Sequence, residues 1–132
     1  MRHKSSRLRQ RLWQQYRRLG RLLPALTPSA PMIPGSFYLM RRKCGKSNCR
    51  CARGQLHPGW VLTRSEAGRH KLYSVPASER ARLRQHAGTY RHWQQARARF
   101  VKETLALLAL ADQFAQTQTL SWPRSQNKTP RR

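Results

Sequence analysis

The sequence predicts an α+β protein, with an N-terminal amphipathic helix, a Pro-rich linker, a small three-stranded antiparallel sheet carrying a zinc knuckle, and a long C-terminal helix. Three observations predict it. Apolar residues recur at helical spacing near both ends, aromatic and β-branched runs bounded by Gly and Pro fill the middle, and all three cysteines crowd into one loop. A chain of 132 residues fits one domain with a modest core, which a metal staple would reinforce.

In the first segment, residues 1–23, Leu8, Leu12, Tyr16, Leu19 and Leu23 mark one helical face. The other faces carry Arg7, Arg9, Arg11, Arg17, Arg18 and Arg21 without an acidic residue to relieve their repulsion, which favours phosphate contact over a merely solvated face. Residues 24–36 follow as a linker. Pro24, Pro28, Pro31 and Pro34 exclude a helix there and predict an extended, polyproline-like connector ending at Gly35.

Residues 37–76 form the sheet module, with strands from Phe37 to Arg42, Trp60 to Arg64 and Arg69 to Val75, the last stopped by Pro76. Glu66-Ala67-Gly68 makes the second connection a hairpin; the cysteine loop, closed on a metal, makes the first. The segment 77–118 then reads as a long helix, with Ser78 as N-cap, Glu79 in the first turn, and Gly88-Thr89 as a place for a kink. Its stripe of Leu83, Tyr90, Trp93, Phe100, Leu107 and Phe114 is expected to pack on protein rather than on bases. The mates available are the first helix, the sheet or a second copy. Residues 119–132 have the composition of a disordered basic tail.

The cysteine loop carries the most specific chemistry. Cys44, Cys49, Cys51 and His57 form C-x4-C-x-C-x5-H, three thiolates and an imidazole, the donor set of one closed, structural Zn2+ site. Gly45 and Gly54 permit tight turns, and Cys49 and Cys51 would project to one side of an extended segment. Lys46, Arg50 and Arg53 surround the sulfurs and offset the charge of three thiolates. His70 is the alternative fourth ligand. The competing reading is three free, redox-active cysteines in a basic loop.

The 28 Lys and Arg against four acidic side chains, a formal charge of +24, point to a polyanionic partner. Nucleic acid leads over an anionic membrane surface or an acidic protein. The basic residues assigned to it are Arg7, Arg11, Arg17 and Arg18 on the first helix, and Arg41, Arg42, Lys43, Lys46, Arg50, Arg53 and Arg64 around the knuckle. No apolar run has the length of a membrane span, and the basic N-terminus leads into no signal-peptide core. Three crowded cysteines make a poor disulfide framework, so a reducing, cytoplasmic setting is expected.

Catalysis is not expected. Glu66, Glu79, Glu103 and Asp112 are too dispersed to hold the hard cations of a nuclease, and Cys44-Gly45-Lys46-Ser47 lacks the upstream glycine of a phosphate loop.

The run Cys44-Gly45-Lys46, Cys49-Arg50-Cys51-Ala52, Gly54, His57 and Gly59-Trp60, followed by a hairpin and a long helix, resembles an uncharacterised family of short basic bacterial proteins. The resemblance covers roughly Gly35 to Leu110. It implies an accessory product of a mobile element, often encoded near a transposase, and hence DNA rather than RNA as the polyanion and a transposase as a possible protein partner. The expectation is a zinc-stabilised nucleic-acid-binding accessory protein. The alternative is an assembly subunit that docks a partner, or a second copy in a homodimer, through the aromatic helix.

Overall fold

The computed structural model describes residues 2–123, and the tail expected beyond Pro123 lies outside them. In chain order come helix α1 (Arg2–Leu26), strand β1 (Ser36–Arg42), a 3₁₀ turn (Arg50–Arg53), strands β2 (His57–Glu66) and β3 (Arg69–Ser74), a 3₁₀ turn (Ala77–Glu79), and helix α2 (Arg80–Gln118). The α+β class and the antiparallel sheet order β1-β2-β3 are as the sequence predicts. Two compact units emerge: one joins residues up to Arg21 with those from Phe100 onward, and the other spans Leu22–Arg99.

In the first unit the two helices run antiparallel, because Gln15 meets Glu103 while Arg9 meets Phe114. The covered face of α1 is Ser5, Leu8, Leu12, Gln15 and Leu19, a 3-4-3-4 seam, and that of α2 is Phe100, Glu103, Leu107, Leu110 and Phe114. This corrects the expected face. Tyr16, 61% exposed, lies off the seam, and Leu23 is exposed as well. A polar residue takes the place expected of Tyr16: Gln15 Nε2 donates to the Glu103 carboxylate at 2.6 Å and to the Glu103 carbonyl at 2.8 Å. Arg9 covers the Phe114 ring at 5.1 Å.

A second correction concerns Pro24, which lies inside α1. It sits in the last turn, where a missing N–H forfeits a single ladder bond. Thr27 closes the helix end, its N–H donating to Pro24 O at 3.3 Å and its hydroxyl to Leu23 O at 3.1 Å. The connector therefore begins at Thr27.

The second unit holds the sheet. β1 pairs with β2 from Ser36↔Thr63 to Arg42↔His57, and β2 pairs with β3 from Val61↔Ser74 to Glu66↔Arg69. Its core is Leu62, Val75 and Ala87, with Ile33, Phe37, Trp60 and Leu83 packed against them. Gly35 allows the connector to approach β2: its φ is +131°, and a Cβ there would come within 2.8 Å of the Thr63 carbonyl. The connector is fastened to α2 by Ile33 N–H donating to His86 O at 3.1 Å. The Trp93 indole N–H donates to Leu26 O, also at 3.1 Å.

α2 runs unbroken through Gly88-Thr89, with the Thr89 hydroxyl donating to Gln85 O at 3.1 Å. Its start differs from expectation. Ser78 makes no capping bond; Pro76 opens a 3₁₀ turn closed by Glu79 N–H donating to Pro76 O at 3.0 Å. All six stripe residues on α2 are half-buried, as packing on protein requires.

Candidate metal centre

The β1–β2 ladder builds the site. Its last pair, Arg42↔His57, sets His57 two residues from Cys44 across the sheet end, and the intervening loop folds back over that gap. Gly45 (φ +84°) and Gly54 (φ +102°) adopt left-handed conformations that other residues rarely take. Gly54 caps the 3₁₀ turn, its N–H directed at the carbonyls of Arg50 and Cys51. The expected extended C-x-C segment is not found. Cys49 is extended, but Cys51 lies within the 3₁₀ turn, and this winding is what turns both sulfurs inward.

Cys44, Cys49, Cys51 and His57 converge so that their ligand atoms all lie within 4.8 Å of one another, and they can hold a metal ion. Cys44 and Cys51 sulfurs are 3.4 Å apart, and Cys49 Sγ is 2.9 Å from His57 Nε2. A tetrahedral ion with bonds of about 2.3 Å to sulfur has edges of about 3.8 Å, so small outward movements would seat it. Cys51 is 1% exposed, whereas Cys44 and His57 are at the surface. Four protein ligands would leave no open position. His70 stands apart, paired with Ser65 in the β2–β3 ladder and absent from the cluster.

Backbone dipoles prepare the sulfurs. The Cys51 backbone and then the His57 imidazole lower the Cys49 thiol, and the Cys44 N–H, 3.2 Å from Cys51 Sγ, lowers Cys51. The Lys46 backbone pulls Cys44 down, but the neighbouring thiols Cys51 and Cys49 outweigh it and hold Cys44 above its ordinary value. A divalent ion would remove that competition by holding all three as thiolates and offsetting two of their three negative charges.

Arg41, Arg42, Lys43, Lys46, Arg50 and Arg53 are exposed around the cluster. Arg42 and Lys43 line a recess of about 410 Å³ beside Cys44 and His57. Arg64 is different: its Nε donates to Glu66 at 2.6 Å and its guanidinium covers Tyr73 at 5.2 Å, so its charge is already matched. In the other unit Arg7, Arg11 and Arg17 are exposed, and Arg18 lies 3.7 Å from Glu103. Arg84 and Arg91, absent from the sequence-based set, lie on one face of α2, and Arg84 covers Trp60 at 5.0 Å and Phe37 at 5.9 Å. Their seven-residue spacing is the signal that places both on that face.

Residues 5–85, from α1 to the first turns of α2, match the family model described as Domain of unknown function (DUF6788). The chain belongs to this family. The DUF6788 region takes in α1, which the resemblance drawn from Gly35 to Leu110 left out, and stops well short of Leu110. No curated protein and no solved structure matches the chain. Among the described residues no helix is long and apolar enough to cross a membrane.

Proposed function

We propose that this DUF6788 chain is a zinc-stabilised nucleic-acid-binding accessory protein that acts by binding, with no bond made or broken. The observation that carries the reading is the group of exposed cations, Arg41 and Arg42 at the end of β1 and Lys43, Lys46, Arg50 and Arg53 on the loop in which Cys44, Cys49, Cys51 and His57 converge. None of the four acidic residues of the chain lies in this loop. Zinc suits a site of three thiolates and one imidazole, since harder cations prefer oxygen donors. The metal would hold the loop, and the loop would hold cations at fixed spacing toward phosphates. The resemblance favours DNA, a mobile-element setting and a transposase neighbour.

Salt dependence tests the reading. Each phosphate contact to duplex DNA contributes about 0.9 to the slope of log K against log salt, so Arg50→Ala with Arg53→Ala should flatten it by about 2. Fluorescence anisotropy on a labelled duplex from low to physiological salt gives both slopes. Salt-insensitive binding, or equal slopes for the two proteins, would contradict it.

The expected docking face of an assembly subunit, the aromatic stripe of α2, is half-buried, and a different surface favours assembly. Trp13 and Tyr16 on α1, and Val101, Leu105 and Leu108 on α2, are exposed near the level of the Gln15–Glu103 contact. A helix that is apolar on all sides, as α2 is from Leu105 to Ala111, ordinarily lies inside a larger assembly. Between Glu103 and Gln118 there is no Lys or Arg, and Asp112 is exposed. Over that stretch α2 contributes no cation, and the partner assigned to this face is a second copy, whose approach must overcome Arg9 and Arg17, one turn either side of Trp13 on α1.

A further inference from the structure

We propose that the cleft between β1 and α2, in the unit spanning Leu22–Arg99, receives one nucleotide of an unpaired nucleic-acid strand. This rests on the nucleic-acid reading above and adds a site to it that lies apart from the metal loop. The cleft has a volume of about 560 Å³, the size of pocket that accepts a small organic ligand.

Four consecutive residues, Gly35 to Tyr38, form one wall. Gly35 precedes β1 and Ser36 to Tyr38 begin it, and because successive side chains of a strand point to opposite faces, such a run lines the cleft partly through its backbone. β1 is an edge strand, bonded to β2 alone, and along its open side it offers backbone N–H and C=O groups. Those donors and acceptors suit the polar edge of a base. Tyr38, 39% exposed, adds aromatic surface for stacking to this wall, whereas Phe37 is already stacked on Trp60 at 4.9 Å beneath Arg84.

The opposite wall is one face of α2, with Arg84, Gly88, Arg91 and Gln94 at helical spacing. Arg84 and Arg91 make no ion pair among the described residues, whereas Arg64, Lys71 and Arg82 each pair with a glutamate. No acidic residue lines the cleft. Two guanidiniums two helical turns apart favour phosphate over a neutral or cationic ligand, and a flat guanidinium also stacks on bases.

Gly88 lies between the two arginines on that wall. Glycine inside a helix is less stable than alanine, and here packing does not demand it: a Cβ at this position would meet nothing within 4 Å. The same holds of Gly20 in α1; what distinguishes Gly88 is its place on the cleft wall. A helix-weakening residue that faces open space in a cleft keeps that space clear, and the chemistry around it fits a nucleotide.

The experiment uses the full zinc-loaded chain and a labelled ten-nucleotide single strand, with the matching duplex, free adenosine monophosphate and an acidic peptide as competitors. Gly88→Ala should raise the melting temperature, because the methyl group meets no neighbour. Gly88→Leu should keep the fold and weaken single-strand binding by about tenfold, the loss of one stacked base, while duplex binding stays within about twofold. Arg91→Glu should produce a similar selective loss. Competition by the free nucleotide would show that the site takes a mononucleotide without a strand. Unchanged single-strand affinity in a folded Gly88→Leu protein would overturn the proposal, and so would displacement by the peptide but not by the nucleotide. If the wild-type chain bound neither strand nor duplex, the failure would belong to the nucleic-acid reading itself.

Discussion

Glu66 shows how a very basic chain uses its few carboxylates. Its side chain accepts from Tyr73 at 2.7 Å and from Arg64 at 2.6 Å, with Lys71 Nζ 3.1 Å away. The Tyr73 hydroxyl, then Arg64 and Lys71, depress its carboxyl from the ordinary 4.5 to about 2. Since the folded value is the lower one, this stabilisation is complete above about pH 4.5 and disappears as the pH falls toward 2. Acid titration followed by circular dichroism should show wild-type stability dropping through that window, and Glu66→Gln should remove this part of the drop. At the metal loop, the residue types in C-x4-C-x-C-x5-H were legible because three thiols and an imidazole have few other uses at that spacing. The winding at Cys51 was not, since a 3₁₀ turn of four residues has no periodicity to read. Gly88 was visible only as a place for a kink, because its use depends on the wall opposite.

Among the elements, strands and helices were legible where apolar pattern and punctuation agree, as in the sheet. The α1 seam shows the limit. Its 3-4-3-4 path runs through Ser5 and Gln15, and a pattern built on apolar residues alone substitutes Tyr16, one position away. Only the bond from Gln15 to Glu103, 88 positions later, reveals why a polar side chain occupies the covered face. Pro24 misled for a related reason: proline forbids a helix interior but is tolerated where few ladder bonds remain. The β2–β3 hairpin turns through Ala67 (φ 49°) and Gly68 (φ 78°), both left-handed, the geometry that favours Asn-Gly. Ala67→Asn should therefore raise stability by about 0.5–1 kcal/mol in urea titration, because Asn tolerates the left-handed conformation better than Ala.

For the molecule as a whole, the charge of +24 makes self-association unfavourable except where cations are absent. The stretch after Glu103 has no Lys or Arg of its own up to Gln118, with Arg9 of α1 alone laid over Phe114, and Trp13, Tyr16, Val101, Leu105 and Leu108 stand exposed in the same unit. Sedimentation velocity at moderate salt should show a dimer that Trp13→Glu with Leu108→Glu converts to a monomer. An unchanged monomer in both would remove the assembly reading and leave nucleic-acid binding as it stands. The proposed metal is the central claim, because a bound ion would tie Cys44, Cys49, Cys51 and His57 together and fix the basic loop that carries them. Native mass spectrometry of protein made without a metal-affinity tag measures this directly. One zinc per wild-type chain and none for Cys49→Ser is the expected result, whereas a folded wild-type chain carrying no zinc would contradict a metal-held loop.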